Sequence, residues 1–303
     1  MTELTSFQQK ISALLSDIEL KFNESMADHT SFRIGGGAEV MAFPKNVEEL
    51  SQILKVSKLL DCKPAILGAG TNVLAPDGGM SGLVICLKDC LGGMERITDN
   101  RIRVMAGVTM TRAAVFAANL GLSGLEFAHG IPGTVGGGVY MNAGAYGGEI
   151  CQVCKCVEVM DFDGILRKFC ADRMDFSYRH SILEEVPGIV VSAEFELESA
   201  PVETIKGKMK ELMGKRSASQ PLDLPSAGSA FKRPVGGYAA ALIDQAGLKG
   251  YTGGGAAIST KHAGFAVNLG GATAADVQDL LRQVSDIVFE KSGIRLEPEV
   301  RVW

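Results

Sequence analysis

GLEFAHGIPGTVGGGVYMNAGAYGGE, residues 124–149, is rich in glycine. Ten glycines lie between Gly121 and Gly148, and the chain carries 37 in 303 residues, about 12% where roughly 7% is usual. Such density marks backbone that bends to positive φ or lies against something bulky. Gly130-Ile-Pro-Gly133, with Pro132 fixing its geometry, reads as a rigid turn. Gly136, Gly137 and Gly138 let the chain approach a ligand face, and Thr134, Asn142, Ala143, Gly144 and Tyr146 complete a candidate cradle. His129 could pack on a ring, but a buried histidine with its hydrogen bonds satisfied is the plainer expectation.

Working outward, ILGAGTNVLAPDGG, residues 66–79, places Gly68, Ala69 and Gly70 just after a short buried strand. Backbone N–H groups at such a turn can cradle a pyrophosphate, and Thr71 and Asn72 add side-chain donors. Val73 stands where a dinucleotide fingerprint would place its third glycine, and no Gly-Lys-Ser/Thr follows as in a P-loop. Two cradles about 60 residues apart suit a long ligand with two phosphates.

Thirty Lys and Arg against 35 Asp and Glu give a net charge of −5. That leaves no surplus of cations to coat a nucleic acid. No run of about 18 uncharged apolar residues suggests a membrane span. The acidic N-terminus does not read as a signal peptide, which points to a cytoplasmic protein. Seven cysteines, an odd number, read as reduced thiols. Cys151-Gln-Val-Cys154 has redox or zinc spacing, but no second pair supplies four ligands. Buried structural cysteine is therefore the expectation, with no metal.

Hydrophobic periodicity predicts helices over 5–20, 47–60, 111–120, 202–216, 237–246 and 274–292. Strands are expected over 38–43, 64–67, 82–87, 94–98, 101–106, 157–162, 165–169, 188–197, 256–259 and 264–269. Asp163-Gly164 marks a hairpin turn, Thr273 with Asp276 a cap pair, and Gly293 a helix stop. The fold class expected is α+β in three parts, 1–87, 88–197 and 198–294, with the extended segment 295–303 returning to the first.

The two cradles together resemble the FAD-binding domain of the vanillyl-alcohol-oxidase and p-cresol-methylhydroxylase type. DFSYRHS (175–181), PSAGSAFKRP (225–234) and LEPEVRVW (296–303) sharpen the likeness. With them, the chain from about residue 25 to 303 resembles the UDP-N-acetylenolpyruvoylglucosamine reductase family, its motifs in family order. The resemblance implies a two-part FAD-binding domain of that type, a C-terminal α+β substrate domain, FAD as cofactor and NADPH as electron donor. It implies UDP-N-acetylglucosamine enolpyruvate as substrate, with no protein, nucleic-acid or membrane partner. It makes Arg179, Ser229 and Glu299 the catalytic set, and Tyr178, Lys232 and Arg301 substrate contacts. Few residues separate Arg179 from the strand beginning near Gly188, which places the chain in the branch lacking an inserted substrate-covering loop. Arg233 stands where some relatives have Asn, so that contact is not carried over.

The chemistry asks for these residue types on its own account. Hydride addition to a carboxylate-bearing enol ether builds charge that a permanent cation stabilises. A glutamate shares that work only when protonated, and a hydroxyl can supply the final proton. Another FAD-dependent oxidase, or a non-catalytic flavin-binding module, remains the alternative at this stage. A serine hydrolase lacks both the Gly-x-Ser-x-Gly frame and a histidine partner.

Overall fold

The computed structural model describes residues 4–303. The chain packs into two compact units. One comprises the residues up to Phe22, Glu39–Ala69 and Gly82–Lys215; the other comprises Asn23–Ala38, Gly70–Ser81 and Arg216–Trp303. These limits differ from the three-part division drawn on the sequence. Local periodicity carries no information about which distant segment completes a core, so the early segments 23–38 and 70–81 could not be assigned to the C-terminal unit in advance.

In the first unit, the helix Val47–Leu59 begins at Asn46, whose side chain accepts the Glu49 N–H at 2.8 Å. Its Leu50, Ile53 and Leu54 recur at helical spacing and are fully buried, in one cluster with Val40, Ala42, Leu83 and Ile85 of the neighbouring strands. Each such side chain contributes roughly 1.5–3 kcal/mol by leaving water. The strand Ala65–Leu67, which leads into the first glycine-rich turn, runs parallel to Met80–Cys86. The expected N-terminal helix is shorter than its pattern, ending at Leu14, and the chain continues as the strand Glu19–Ser25.

The rest of this unit is built on a five-stranded antiparallel sheet. Its order is Leu166–Cys170, Cys154–Met160, Ile189–Glu196, Arg101–Met105, Met94–Thr98. The Asp163-Gly164 turn joins the first two of these strands, with Gly164 at φ 78°. Helix Met110–Asn119 shares its buried alanines, Ala113, Ala114, Ala117 and Ala118, with Ile102, Val104 and Phe195 of the sheet. One expectation needs correcting here. Cys154 is buried, and burial pushes its thiol up to about 12, but Cys170 is exposed on the edge strand. It stands directly opposite Cys156 with the sulfurs 3.8 Å apart. A register shift between Cys154 and Cys156 moves Cys156 to the face opposite the buried Val157 and Val159, and Cys170 across from it shares that outward face.

In the second unit, Thr252–Gly253, Ala256–Ile258 and Ala266–Asn268 form an antiparallel sheet. Helix Ala274–Ser292 contributes Val277, Leu280, Leu281 and Val284 to a core that also contains Phe32, Ile34 and Leu74. Thr273 and Asp276 form the reciprocal cap, and Gly293 ends the helix at φ 72°. Asp77 also accepts the N–H groups of Ala274 and Ala275, at 2.7 and 3.1 Å. The closing strand Arg301–Val302 pairs in parallel with Val73–Leu74. No helix among the described residues is long and apolar enough to cross a membrane.

Candidate active site

The second glycine-rich stretch is more regular than its composition suggests. Val135–Tyr140, with three glycines in six residues, is a short helix whose N-cap is Thr134, 2% exposed; the Thr134 hydroxyl accepts the Gly137 N–H at 3.4 Å. Several glycines answer to the protein itself. A Cβ on Gly68 would lie 2.6 Å from the Thr134 Oγ1, one on Gly136 2.9 Å from the Ala106 Cβ, and one on Gly144 2.6 Å from the Glu149 Cγ. At Gly68 the backbone of the first cradle stretch lies close against the Thr134 side chain of the second. Beside that contact, Pro132 and Gly137 are exposed and Gly130 and Gly133 half-buried, so the strip presents backbone almost without side chains. His129 departs from expectation: its Nδ1 is buried without a hydrogen-bond partner among the described residues, while its carbonyl accepts the Thr111 hydroxyl at 2.7 Å.

Asn142, read as a ligand contact, turns its amide inward. It is 1% exposed with φ 41°. Its Nδ2 donates to the Glu149 carboxylate at 3.2 Å and to the Ser177 carbonyl at 3.0 Å, and its Oδ1 accepts the Cys151 N–H at 3.0 Å. Ser177 opens the turn that carries Tyr178 and Arg179. Ser177 and His180 exchange both backbone hydrogen bonds across it, at 3.2 and 3.3 Å. Arg179 occupies the third position at φ 57°, where glycine or asparagine is usual. A left-handed conformation in a long side chain costs on the order of 1–3 kcal/mol, and such residues gather where a site needs them. The Arg179 guanidinium lies 5.1 Å from the centre of the exposed Tyr178 ring. Ser181, fully buried, anchors the far side of the turn through the Tyr140 carbonyl at 2.7 Å.

The second unit brings together Ser229, Lys232, Glu299 and Arg301. Gly228, at φ 78°, turns the chain into a short extended run. There Ser229 pairs with Phe265, and Phe231 with Pro298. Between them, the Ala230 N–H donates to the Gly264 carbonyl at 2.8 Å and its carbonyl accepts the Glu299 N–H at 2.9 Å. Ser229 and Glu299 thus lie on adjacent, directly bonded backbones, the glutamate 9% exposed. Asn72, from the first cradle, donates its amide to the Glu299 carbonyl at 3.3 Å and accepts the Arg301 N–H at 3.0 Å. Gly70 is close-packed too: a Cβ there would meet the His29 carbonyl oxygen at 2.1 Å. Lys232 forms an ion pair with Glu297. Arg233 stacks on the Tyr238 ring at 4.7 Å.

Comparison with known proteins covers both units. The family model for an FAD binding domain matches residues 38–169. The model for the C-terminal domain of UDP-N-acetylenolpyruvoylglucosamine reductase matches residues 220–303. A UDP-N-acetylenolpyruvoylglucosamine reductase of Latilactobacillus sakei is 44% identical over 289 residues, covering 94% of this chain and 93% of the relative. One from Clostridium novyi is 40% identical over 302 residues, covering 100% and 98%. The crystal structure of the corresponding enzyme from Thermus caldophilus superposes with a TM-score of 0.77 at 36% identity, covering 94% of this chain and 98% of that one.

Proposed function

This chain belongs to the UDP-N-acetylenolpyruvoylglucosamine reductase family, and we propose that Arg179, Ser229 and Glu299 carry its chemistry. It is an FAD-dependent oxidoreductase of peptidoglycan precursor synthesis that reduces UDP-N-acetylglucosamine enolpyruvate to UDP-N-acetylmuramate, with NADPH as reductant.

The residues present fit FAD. The strip at Gly130, Pro132, Gly133 and Gly137 carries little side chain, which suits close approach of a flat group or a pyrophosphate. The orphaned His129 Nδ1 beside it is a buried atom in want of a partner. We assign Gly68, Ala69, Gly70, Thr71 and Asn72 to the same task from the first stretch, with Thr134, Gly136, Asn142, Ala143 and Gly144 shaping the second. The chemistry FAD supplies when bound is hydride exchange, first with NADPH and then with the enolpyruvyl methylene.

The chain's own residues do the rest. A hydride added to the carbon β to the carboxylate leaves negative charge on the α-carbon and carboxylate. The Arg179 guanidinium, charged at every relevant pH, stabilises that charge. Glu299, buried and bonded through its N–H to the Ala230 carbonyl, shares the role. The Ser229 hydroxyl then gives its proton to the α-carbon, so one hydride and one proton add across the double bond. Tyr178, Lys232 and Arg301 hold the sugar nucleotide. We place the reaction in the cytoplasm, where NADPH and reduced thiols coexist.

The observation that carries these roles is the Ala230 peptide, bonded to Glu299 and following Ser229 directly. The test is a pair of anaerobic half-reactions on purified holoenzyme. NADPH should bleach the flavin band equally in the parent and in Ser229→Ala. Enolpyruvyl substrate should then restore it at least about 100-fold more slowly in the variant, the scale of a lost general acid. Equal recolouring in both would remove Ser229 from the mechanism.

A further inference from the structure

Behind Ser229 lies the turn Ser259–Phe265, built with unusual care for a segment outside the site. The Ser259 hydroxyl accepts the N–H groups of Lys261 and His262, at 3.1 and 3.3 Å. The Phe265 N–H donates to the His262 carbonyl at 3.0 Å, and the Ser259 N–H to the Phe265 carbonyl at 2.9 Å. At the centre, the His262 Nδ1 accepts the Gly264 N–H at 3.1 Å. The imidazole also packs edge-on against Phe265, ring centres 5.0 Å apart and planes 77° apart. A Cβ on Gly264 would come within 3.1 Å of this ring and of the Ala240 Cβ, so the ring fills the space a side chain would need.

The outer face of that turn is the backing of the catalytic run. The Gly264 carbonyl accepts the Ala230 N–H, and Phe265 is the bridge partner of Ser229. The path from His262 to Ser229 therefore runs through one side-chain hydrogen bond to Gly264, one backbone hydrogen bond from Ala230 to Gly264 and the Ser229–Ala230 peptide, with Glu299 bonded to the other side of Ala230. Acceptance at Nδ1 requires a neutral ring with its proton on Nε2. Burial, and secondarily the Lys249 charge, hold His262 below the usual histidine range and favour that form.

We infer that His262 is a positioning residue for Ser229: as a neutral acceptor it fixes the 262–265 turn, and the turn sets the Ser229–Ala230 backbone against Glu299. This rests on the reading of Ser229 as proton donor.

The test compares His262→Asn, His262→Gln and His262→Ala with Ser229→Ala, all as holoenzymes matched for FAD content and thermal midpoint. Asparagine can place its Oδ1 where Nδ1 stands; glutamine reaches past it, and alanine supplies no acceptor. Substrate-driven flavin reoxidation should slow about tenfold in the Ala and Gln variants, the scale of one lost hydrogen bond. It should stay within about threefold of the parent in Asn, with NADPH reduction unchanged in all three. Hydrogen exchange over residues 259–266 should quicken in Ala and be restored in Asn. Equal slowing of both half-reactions, or no rescue by asparagine, would overturn the inference. If Ser229→Ala itself reoxidises normally, the proton-donor reading fails first and the inference falls with it. If only Ser229→Ala is slow and the His262 variants are not, the inference fails alone. Should Ala not fold, Gln against Asn gives the same contrast.

Discussion

The side-chain amide of Asn142 donates to the carbonyl of Ser177 at 3.0 Å, joining the second glycine-rich stretch to the turn that carries Arg179. Asn142→Ala would leave the Glu149 carboxylate, the Cys151 N–H and the Ser177 carbonyl each short of one hydrogen bond in a part-buried place. The expected cost is about 2–3 kcal/mol, read from the urea midpoint of the holoenzyme. Asn142→Asp should cost more, because its carboxylate would face that of Glu149. If Asp proves milder than Ala, the bond assignment at this site is wrong.

Arg179 at φ 57° sets its charge against its backbone. Replacing it with glycine relieves the left-handed strain, and replacing it with alanine does not. Arg179→Gly should be more stable than Arg179→Ala by about 1 kcal/mol, while both lose at least about 100-fold in substrate-driven reoxidation. Thermal unfolding of the two variants settles it: an alanine variant as stable as the glycine one would show that the turn holds no strain.

Gly68 and Thr134 make a testable pair. A methyl at Gly68 meets the Thr134 Oγ1 at 2.6 Å and the remaining Thr134 atoms only at 3.7 Å or more. Gly68→Ala should cost about 1–3 kcal/mol and weaken FAD retention. In a Thr134→Ala background, already short of its helix cap, the same change should cost much less. A double-mutant cycle showing simple additivity would dissolve the contact as the reason for the glycine.

Glu194 gives the pH dependence. It is 6% exposed, with its carboxylate accepting from Arg103 at 2.8 Å and Lys168 at 2.9 Å. Burial pushes its pKa up, but the two hydrogen-bonded cations outweigh that and hold it below the ordinary 4.5. The unfolded chain therefore binds the proton more readily than the folded one. The stability Glu194 contributes is complete above about pH 4.5 and lost as pH falls through the lower folded value. Urea midpoints from pH 7 down to 3 should fall less steeply in Glu194→Gln than in the parent across that window. Parallel curves would refute the assignment.

Much of this was legible in the residues, for identifiable reasons. Ala274–Ser292 announces itself because period, cap and stop signals agree, and Val47–Leu59 through its apolar period. The Val135–Tyr140 helix does not, because three glycines contradict its propensity and only tertiary packing sustains it. The glycine-rich stretches stand out by composition, and part of the reason lies in the fold itself. Gly70 yields space to the His29 carbonyl, a neighbour supplied by the fold. Asn142 and Asn72 have a second task that their type alone does not announce: their amides bond to the carbonyls of Ser177 and Glu299. His262 carried no motif, and its signal lies wholly in the geometry of the turn.

The interleaving of the second unit bears on how the protein is made. Phe32, Ile34 and Leu74 belong to a core whose other members begin at Ala227, and Val73–Leu74 find their strand partner in Arg301–Val302. A ribosome delivers the early pieces long before the late ones. The nascent chain must hold Phe32, Ile34 and Leu74 without their partners for most of its synthesis. The unit bearing Ser229 and Glu299 is completed by Arg301–Val302, so a chain cut before Arg301 would leave Val73–Leu74 without that strand partner.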